Sequence, residues 1–266
     1  MLSIMDTPAL LPSLFLSHGS PMLAIEDSAT GRFLDRLGQA LPTPRAVLVA
    51  SAHFMRPTTT VTATPAPETI HDFGGFPAPL YELRYPATGA PDLAAQVLEC
   101  LANAGLPAQQ DDRHGLDHGV WVPLRRMYPA ADIPVLALSV NPHGSAEEHF
   151  QVGRALAPLR QHGVLVVGSG GFSHNLRELD WQHAHAPTYP WVADFTDALR
   201  THLEAGDIAS ALDWKSLPHA LRNHPTQEHL YPLYVALGAG SEHTHARLLH
   251  RDVELGGLAL DAFAFD

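Results

Sequence analysis

Three stretches of this chain run apolar, turn to small residues and then place a histidine. They are Leu14-Phe15-Leu16-Ser17-His18, Ala46-Val47-Leu48-Val49-Ala50-Ser51-Ala52-His53, and Val164-Leu165-Val166-Val167-Gly168-Ser169-Gly170-Gly171-Phe172-Ser173-His174. Unbroken aliphatic runs mark strands buried on both faces, the pattern of a parallel sheet covered by helices. Such a fold lines up the carboxyl ends of its strands, and ligands bind outside that edge. His18, His53 and His174 are each expected just past a strand end, with His18 and His53 on adjacent strands. Three imidazoles at one edge point to a metal site, because neutral imidazole is the commonest nitrogen ligand for zinc and iron.

The rest of the chain supplies the covering layers. Phe33, Leu34, Leu37 and Leu41 recur at helical spacing over 31–41. Pro91 and Gly105 bracket a helix over 91–104 with the residues that favour its first turn and its end. Further helices are expected over 120–127, 146–161 (closed by Gly163), 191–204 and 226–237, the last with Thr226 as N-cap. Strands are expected over 57–64, 133–140, 247–255 and 258–265, the last two around Gly256-Gly257. Residues 72–81, rich in Gly, Pro and aromatics, read as a long ordered loop of the kind that often carries function. Strands alternate with helices from end to end, without repeat or linker. The expected fold is therefore α/β: one domain over 1–266, three-layered α/β/α, with a central mostly parallel or mixed sheet.

Composition removes several classes of function. The net charge of −12, with no run of Lys or Arg, argues against a nucleic-acid partner. No stretch approaches the ~18 apolar residues of a membrane span. The first 20 residues lack the pattern of a secretory leader, so a cytoplasmic location is expected. Cys100 is the single cysteine, which excludes an internal disulfide and a thiolate metal cluster. It falls in the apolar pattern of a helix, as a buried inert thiol would.

The 18 histidines outnumber the 16 Lys and Arg residues, so most must be ordinary. His143, His149, His162, His183, His185, His202, His243 and His245 stand in polar or loop-like contexts and are expected at the surface. His18 and His53 are the strongest ligand pair, and the glycines before His174 allow close backbone approach. In the segment 223–233, His224, Glu228 and His229 are all candidates, and pattern alone does not say which turns inward. His114 and His118 have the spacing of a helical metal pair, but Gly115 and Gly119 favour a loop that aims one of them into a pocket. There is no His-Glu-x-x-His, Cys-x-x-Cys or acidic calcium loop, and Gly168-Ser169-Gly170-Gly171 matches neither a nucleophile elbow nor a phosphate loop.

Seven segments, in order, carry a family resemblance. They are SHGSPM at 17–22, SAHF at 51–54, DFGGFP at 72–77, LYELRYPA at 80–87, GLDHGVWVPL at 115–124, GSGGFSHN at 168–175 and HPTQEHLYPL at 224–233. Together they resemble the class III extradiol ring-cleavage dioxygenases, in their DOPA 4,5-dioxygenase-type branch, over nearly the whole chain. The resemblance implies a mononuclear non-haem iron(II) site with His18, His53 and His229 at the metal-ligand positions. It implies that His174 is a base that becomes a fourth ligand when zinc(II) fills the site, and that His118 lies near substrate and oxygen. The wider superfamily more often uses two His and one Glu; here the third position resembles His229 rather than Glu228. The implied partners are a catechol and O2, and the implied product is a muconic semialdehyde. A zinc hydrolase could use the same histidines with His174 as base. A non-catalytic binding protein on this fold would be expected to have lost some of them.

Overall fold

An eight-stranded mixed sheet runs through the computed structural model, which describes residues 10–241 and 245–266. In chain order the elements are β1 (Ser13–Ser17), α1 (Ala29–Ala40), β2 (Ala46–Met55), β3 (Thr59–Thr62), α2 (Ala78–Glu82), α3 (Pro91–Asn103), β4 (Ala108–Asp111), α4 (His118–Met127), β5 (Val135–Val140) and α5 (Ala146–Leu156). There follow β6 (Val164–Gly170), α6 (Pro190–Ala205), α7 (Ile208–Leu212), α8 (Ala220–Asn223), α9 (Tyr231–Gly238), β7 (Ala246–His250), β8 (Val253–Glu254), β9 (Leu258–Ala259) and β10 (Ala262–Phe265). The strand order is β4-β3-β5-β2-β6-β1-β10-β7. β5, β2, β6 and β1 are mutually parallel, β3 meets β5 antiparallel, and β10 and β7 close the other side antiparallel.

Alternation along the strands builds the three layers. Leu14, Leu16, Val47 and Val49 pack with Phe33, Leu34, Trp121 and Leu124 of α1 and α4. Their neighbours face the other way: Phe15 meets Phe195 and Leu233 of α6 and α9, and Leu48 and Ala50 meet Leu93, Val97 and Val152 of α3 and α5. Successive side chains of a strand point to opposite faces, so unbroken apolar runs require helices on both. The result is a single α/β domain with a central mixed sheet. Among the described residues no helix is long and apolar enough to cross a membrane.

Several local expectations differ from the structure. β1 and β2 are not neighbours; β6 lies between them. The helix expected from Thr226 begins at Tyr231, because Pro232 lacks an N–H and fits only a first turn. Thr226 is thus no N-cap, and its hydroxyl donates to Glu228. Pro158 turns the end of the 146–161 helix into a 3-10 stretch, still closed by Gly163 at φ 74°. The loop at 72–81 contains the short α2, started by Pro77 and Pro79. Each closing strand is split in two, β7 with β8 and β9 with β10, and the ladder shifts register at Ala262/Phe263. β4 and the small helices α7 and α8 had no clear pattern in the sequence.

Candidate metal centre

The small residues after the apolar runs are what bring the histidines together. His18 follows β1, and its N–H donates to Gly170 O at the end of β6. His53 lies within β2, past the irregularity that begins at Ser51, so this strand runs further than its apolar residues suggest. Gly168 and Gly170 let the start of α9 lie directly on β6: a Cβ there would stand 2.0 Å from Pro232 O and 2.1 Å from His229 O. The Gly171 N–H then donates to His229 O at 2.9 Å.

The three imidazoles meet through the same nitrogen. His53 Nε2 is 3.1 Å from His18 Nε2 and 3.3 Å from His229 Nε2. Two nitrogens bound to one zinc ion at about 2.0–2.2 Å would sit about 3–3.5 Å apart. Behind each ring, Nδ1 has a polar partner. His18 Nδ1 is 3.0 Å from Ser169 Oγ, His53 Nδ1 is 3.4 Å from Asp72 Oδ2, and His229 Nδ1 is 3.2 Å from Glu228 Oε1.

Those partners settle the tautomers. Ser169 has one hydroxyl hydrogen and gives it to Gly119 O, so its oxygen accepts from His18 Nδ1–H. A carboxylate can only accept, so Glu228 takes the Nδ1 hydrogen of His229, and Asp72 favours the same tautomer in His53. Each Nε2 is therefore left with a lone pair, and that of His53 lies close to those of both His18 and His229. Burial holds His53 down at about 4 and, with the neighbouring imidazoles, holds His18 and His229 well below 6.5, so the rings are neutral near pH 7. Three such lone pairs, gathered around His53 Nε2, form a donor set that a divalent cation would complete.

Two further histidines flank the three. His118, the first residue of α4, lies 3.9 Å from the His53 ring and 5.3 Å from the His18 ring, centroid to centroid. Its Nδ1 donates to Asp72 Oδ2 at 2.9 Å. Burial and the hydrogen bonds from His118 act oppositely on Asp72; the hydrogen bonds win and hold the carboxyl at about 2. His174 stacks on His229 with centroids 3.4 Å apart and planes within 7°, and burial lowers it to about 4. Among the described residues, two groups bring potential ligand atoms within 4.8 Å of one another: His18 with His53 and His118, and His174 with Glu228 and His229. The five candidates His18, His53, His118, His174 and His229 thus form one cluster, and Phe73 lies edge-on to His118 at 5.7 Å.

Other histidines are used for packing. His114 stacks on Phe54 at 3.9 Å, and buried His224 donates from Nε2 to Phe172 O. His149, expected at the surface, is buried; Tyr231 stacks on it, and its nitrogens bond Ser145 O and Asn141 N. His143, His162, His183, His185 and His245 are exposed and His202 is half-buried, while His243 lies outside the described residues. Cys100 is half-buried in α3. A cavity of about 670 Å³, lined by Phe150, Pro158, Ile208 and Leu237 among others, contains none of the clustered histidines.

Sequence patterns did not single out Ser169 or Asp72. Their signals are positional: Ser169 stands between two glycines at the end of a buried strand, and Asp72 opens the aromatic loop.

Residues 12–258 match the family model of the catalytic LigB subunit of aromatic ring-opening dioxygenase. The chain belongs to this family of class III extradiol ring-cleavage dioxygenases, in its DOPA-like branch. It is 40% identical over 257 residues to the 4,5-DOPA dioxygenase extradiol of Escherichia coli K12, covering 94% of this chain and 93% of that protein. It is equally 40% identical over 256 residues to the 4,5-DOPA dioxygenase extradiol of Beta vulgaris, covering 94% and 95%. The crystal structure of uncharacterized protein JW3007 from Escherichia coli K12 superposes with a TM-score of 0.83 at 35% identity, covering 96% of this chain and all of that one. This extradiol dioxygenase therefore shares the fold of that structure along nearly its whole length.

Proposed function

We propose that this protein is an iron(II)-dependent extradiol dioxygenase that opens the ring of a DOPA-like catechol with O2 to a muconic semialdehyde. In this reading His18, His53 and His229 hold the metal. The observation that carries it is the trio of Nε2 lone pairs 3.1 and 3.3 Å apart, each ring backed at Nδ1 by Ser169, Asp72 or Glu228. Iron(II) held there would supply the electron path from an electron-rich catecholate to dioxygen, which redox-silent zinc cannot do.

The chain's own residues manage protons and position. A catechol loses protons to chelate through both oxygens, and a neutral imidazole accepts one. His174, kept neutral by burial beside His229, is the proposed base and the residue that joins the ligands if zinc occupies the site. His118, with its Nδ1 hydrogen held by Asp72, would have its Nε2 lone pair to hold or return a proton of the substrate. Phe73 beside it supplies an apolar edge for an aromatic substrate.

Protein loaded anaerobically with iron(II) is expected to consume O2 with L-DOPA and form a ring-opened product, while zinc-loaded protein is inert. Equal turnover with zinc would replace this reading with the hydrolase. His53→Ala should lose the metal, whereas His118→Ala should keep it and lose roughly 10²–10⁴-fold in turnover. Metal content measured beside turnover decides the two roles.

A further inference from the structure

The geometry points to Asp72 as a positioning residue that sets the tautomer of His118 and backs His53, an assignment whose catalytic consequence rests on the dioxygenase reading. Its side chain, only 24% exposed, spans two functions with two oxygens. Oδ1 accepts from the backbone N–H of His118 at 2.9 Å, and Oδ2 accepts from His118 Nδ1 at 2.9 Å while standing 3.4 Å from His53 Nδ1. The first contact satisfies a free N–H at the start of α4. Asp117, at the cap position itself, makes no capping bond and takes the Ser51 hydroxyl instead.

A helix-capping role alone would also put a carboxylate here, and the two roles separate on one substitution. A backbone N–H can only donate, so the group facing it must accept. A carboxylate leaves a second acceptor for Nδ1, which must then carry the hydrogen, with the lone pair on Nε2. Asparagine has one oxygen and one NH2 group. With its oxygen on the His118 N–H, its NH2 faces Nδ1 and demands a lone pair there, moving the imidazole hydrogen to Nε2. The reverse orientation sets donor against donor at the helix start. Asp72→Asn therefore keeps the cap and reverses the imidazole.

The test is nitrogen NMR of zinc-loaded protein labelled with ¹⁵N-histidine, with the His118 signals identified by their loss in His118→Ala. Zinc is kept in excess, because the asparagine NH2 no longer accepts from His53 Nδ1 and zinc should bind more weakly. Wild type is expected to show His118 protonated at Nδ1 and Asp72→Asn at Nε2, with a melting temperature close to wild type. In iron-loaded protein, kcat with L-DOPA should fall roughly 10²–10⁴-fold with little change in KM, as for loss of a proton-transfer group held in the wrong tautomer. An unchanged tautomer, or full turnover with a reversed one, overturns the assignment. Should the asparagine variant fail to fold, Asp72→Ala is expected to show both His118 tautomers, and retention of the single Nδ1–H form overturns it. Wild-type iron protein inert toward every catechol would instead defeat the dioxygenase reading, and the NMR result would still decide whether Asp72 sets the ring.

Discussion

At the scale of single residues, the site depends on where one hydroxyl hydrogen goes. Pro123 sits inside α4 and has no N–H, so Gly119 O, four residues earlier, loses its helical partner. Ser169 donates to that carbonyl, accepts from His18 Nδ1, and so leaves the Nε2 lone pair for a metal. Ser169→Ala should weaken zinc binding roughly 10–100-fold, the usual effect of removing a group that orients a metal-bound histidine. Competition with a chromophoric chelator measures this, and an unchanged affinity would mean that packing alone holds the His18 ring. The variant should also melt lower, since Gly119 O would be left buried and unpaired at a cost of about 1–3 kcal/mol.

At the scale of elements, a clamp holds the segment after β6 that carries His174 against the segment before α9 that carries His229. His174 N–H donates to Asn223 O, Asn175 Nδ2 donates to Arg222 O, and His224 Nε2 donates to Phe172 O. Arg222 pairs with Glu178 across the same gap. β6 and α9 meet here without side chains between them, which is why Gly170 faces His229 O. Gly170→Ala should destabilise the fold by roughly 1–3 kcal/mol, as overpacking does. It should also lower the bound metal per chain, because the carbonyl that must move belongs to His229. Calorimetry with metal analysis tests both, and a variant with full metal content would show that this contact leaves the ligand geometry untouched. The start of α9 belongs to this scale too: Pro232, in its first turn, outranks a capping threonine six residues earlier.

For the whole molecule, the histidine cluster couples folding to pH. Burial lowers His53 and His174 to about 4 and His224 to about 3, and it holds His18 and His229 well below 6.5. In the unfolded chain these rings take up protons near 6.5, while in the fold they resist until much lower pH. The unfolded state then binds more protons, so stability is fully present above about pH 6.5 and is lost as pH falls toward 4. Asp261 acts in the opposite sense. Burial outweighs Arg200 and raises its carboxyl from 3.8 to about 6, so its contribution is greatest below 3.8 and fades as pH rises through 6. Glu254, also raised by burial, acts with Asp261, but five rings outnumber these two carboxyls, and the melting temperature of metal-free protein should drop steadily between pH 6.5 and 4 in scanning calorimetry. A flat profile would mean that the rings are hydrated once the metal is gone.

The sequence by itself determined the buried strands, the covering helices and the placing of His18, His53 and His174 near strand ends, because apolar periodicity and strand length are local properties of a chain. Its family resemblance also marked His229 and His118. Tertiary structure alone decided that β6 separates β1 from β2 and that His149 is buried. It also decided that His229 Nε2 joins the cluster while Glu228 turns to Nδ1. The contacts that prepare the site join distant residues: 151 positions separate Ser169 from His18, and 46 separate Asp72 from His118. Such pairs meet only after the strands have chosen their order and the glycines have let a helix settle on the sheet. A hydrogen bond between them is therefore a property of the packed molecule that no local pattern of residues encodes.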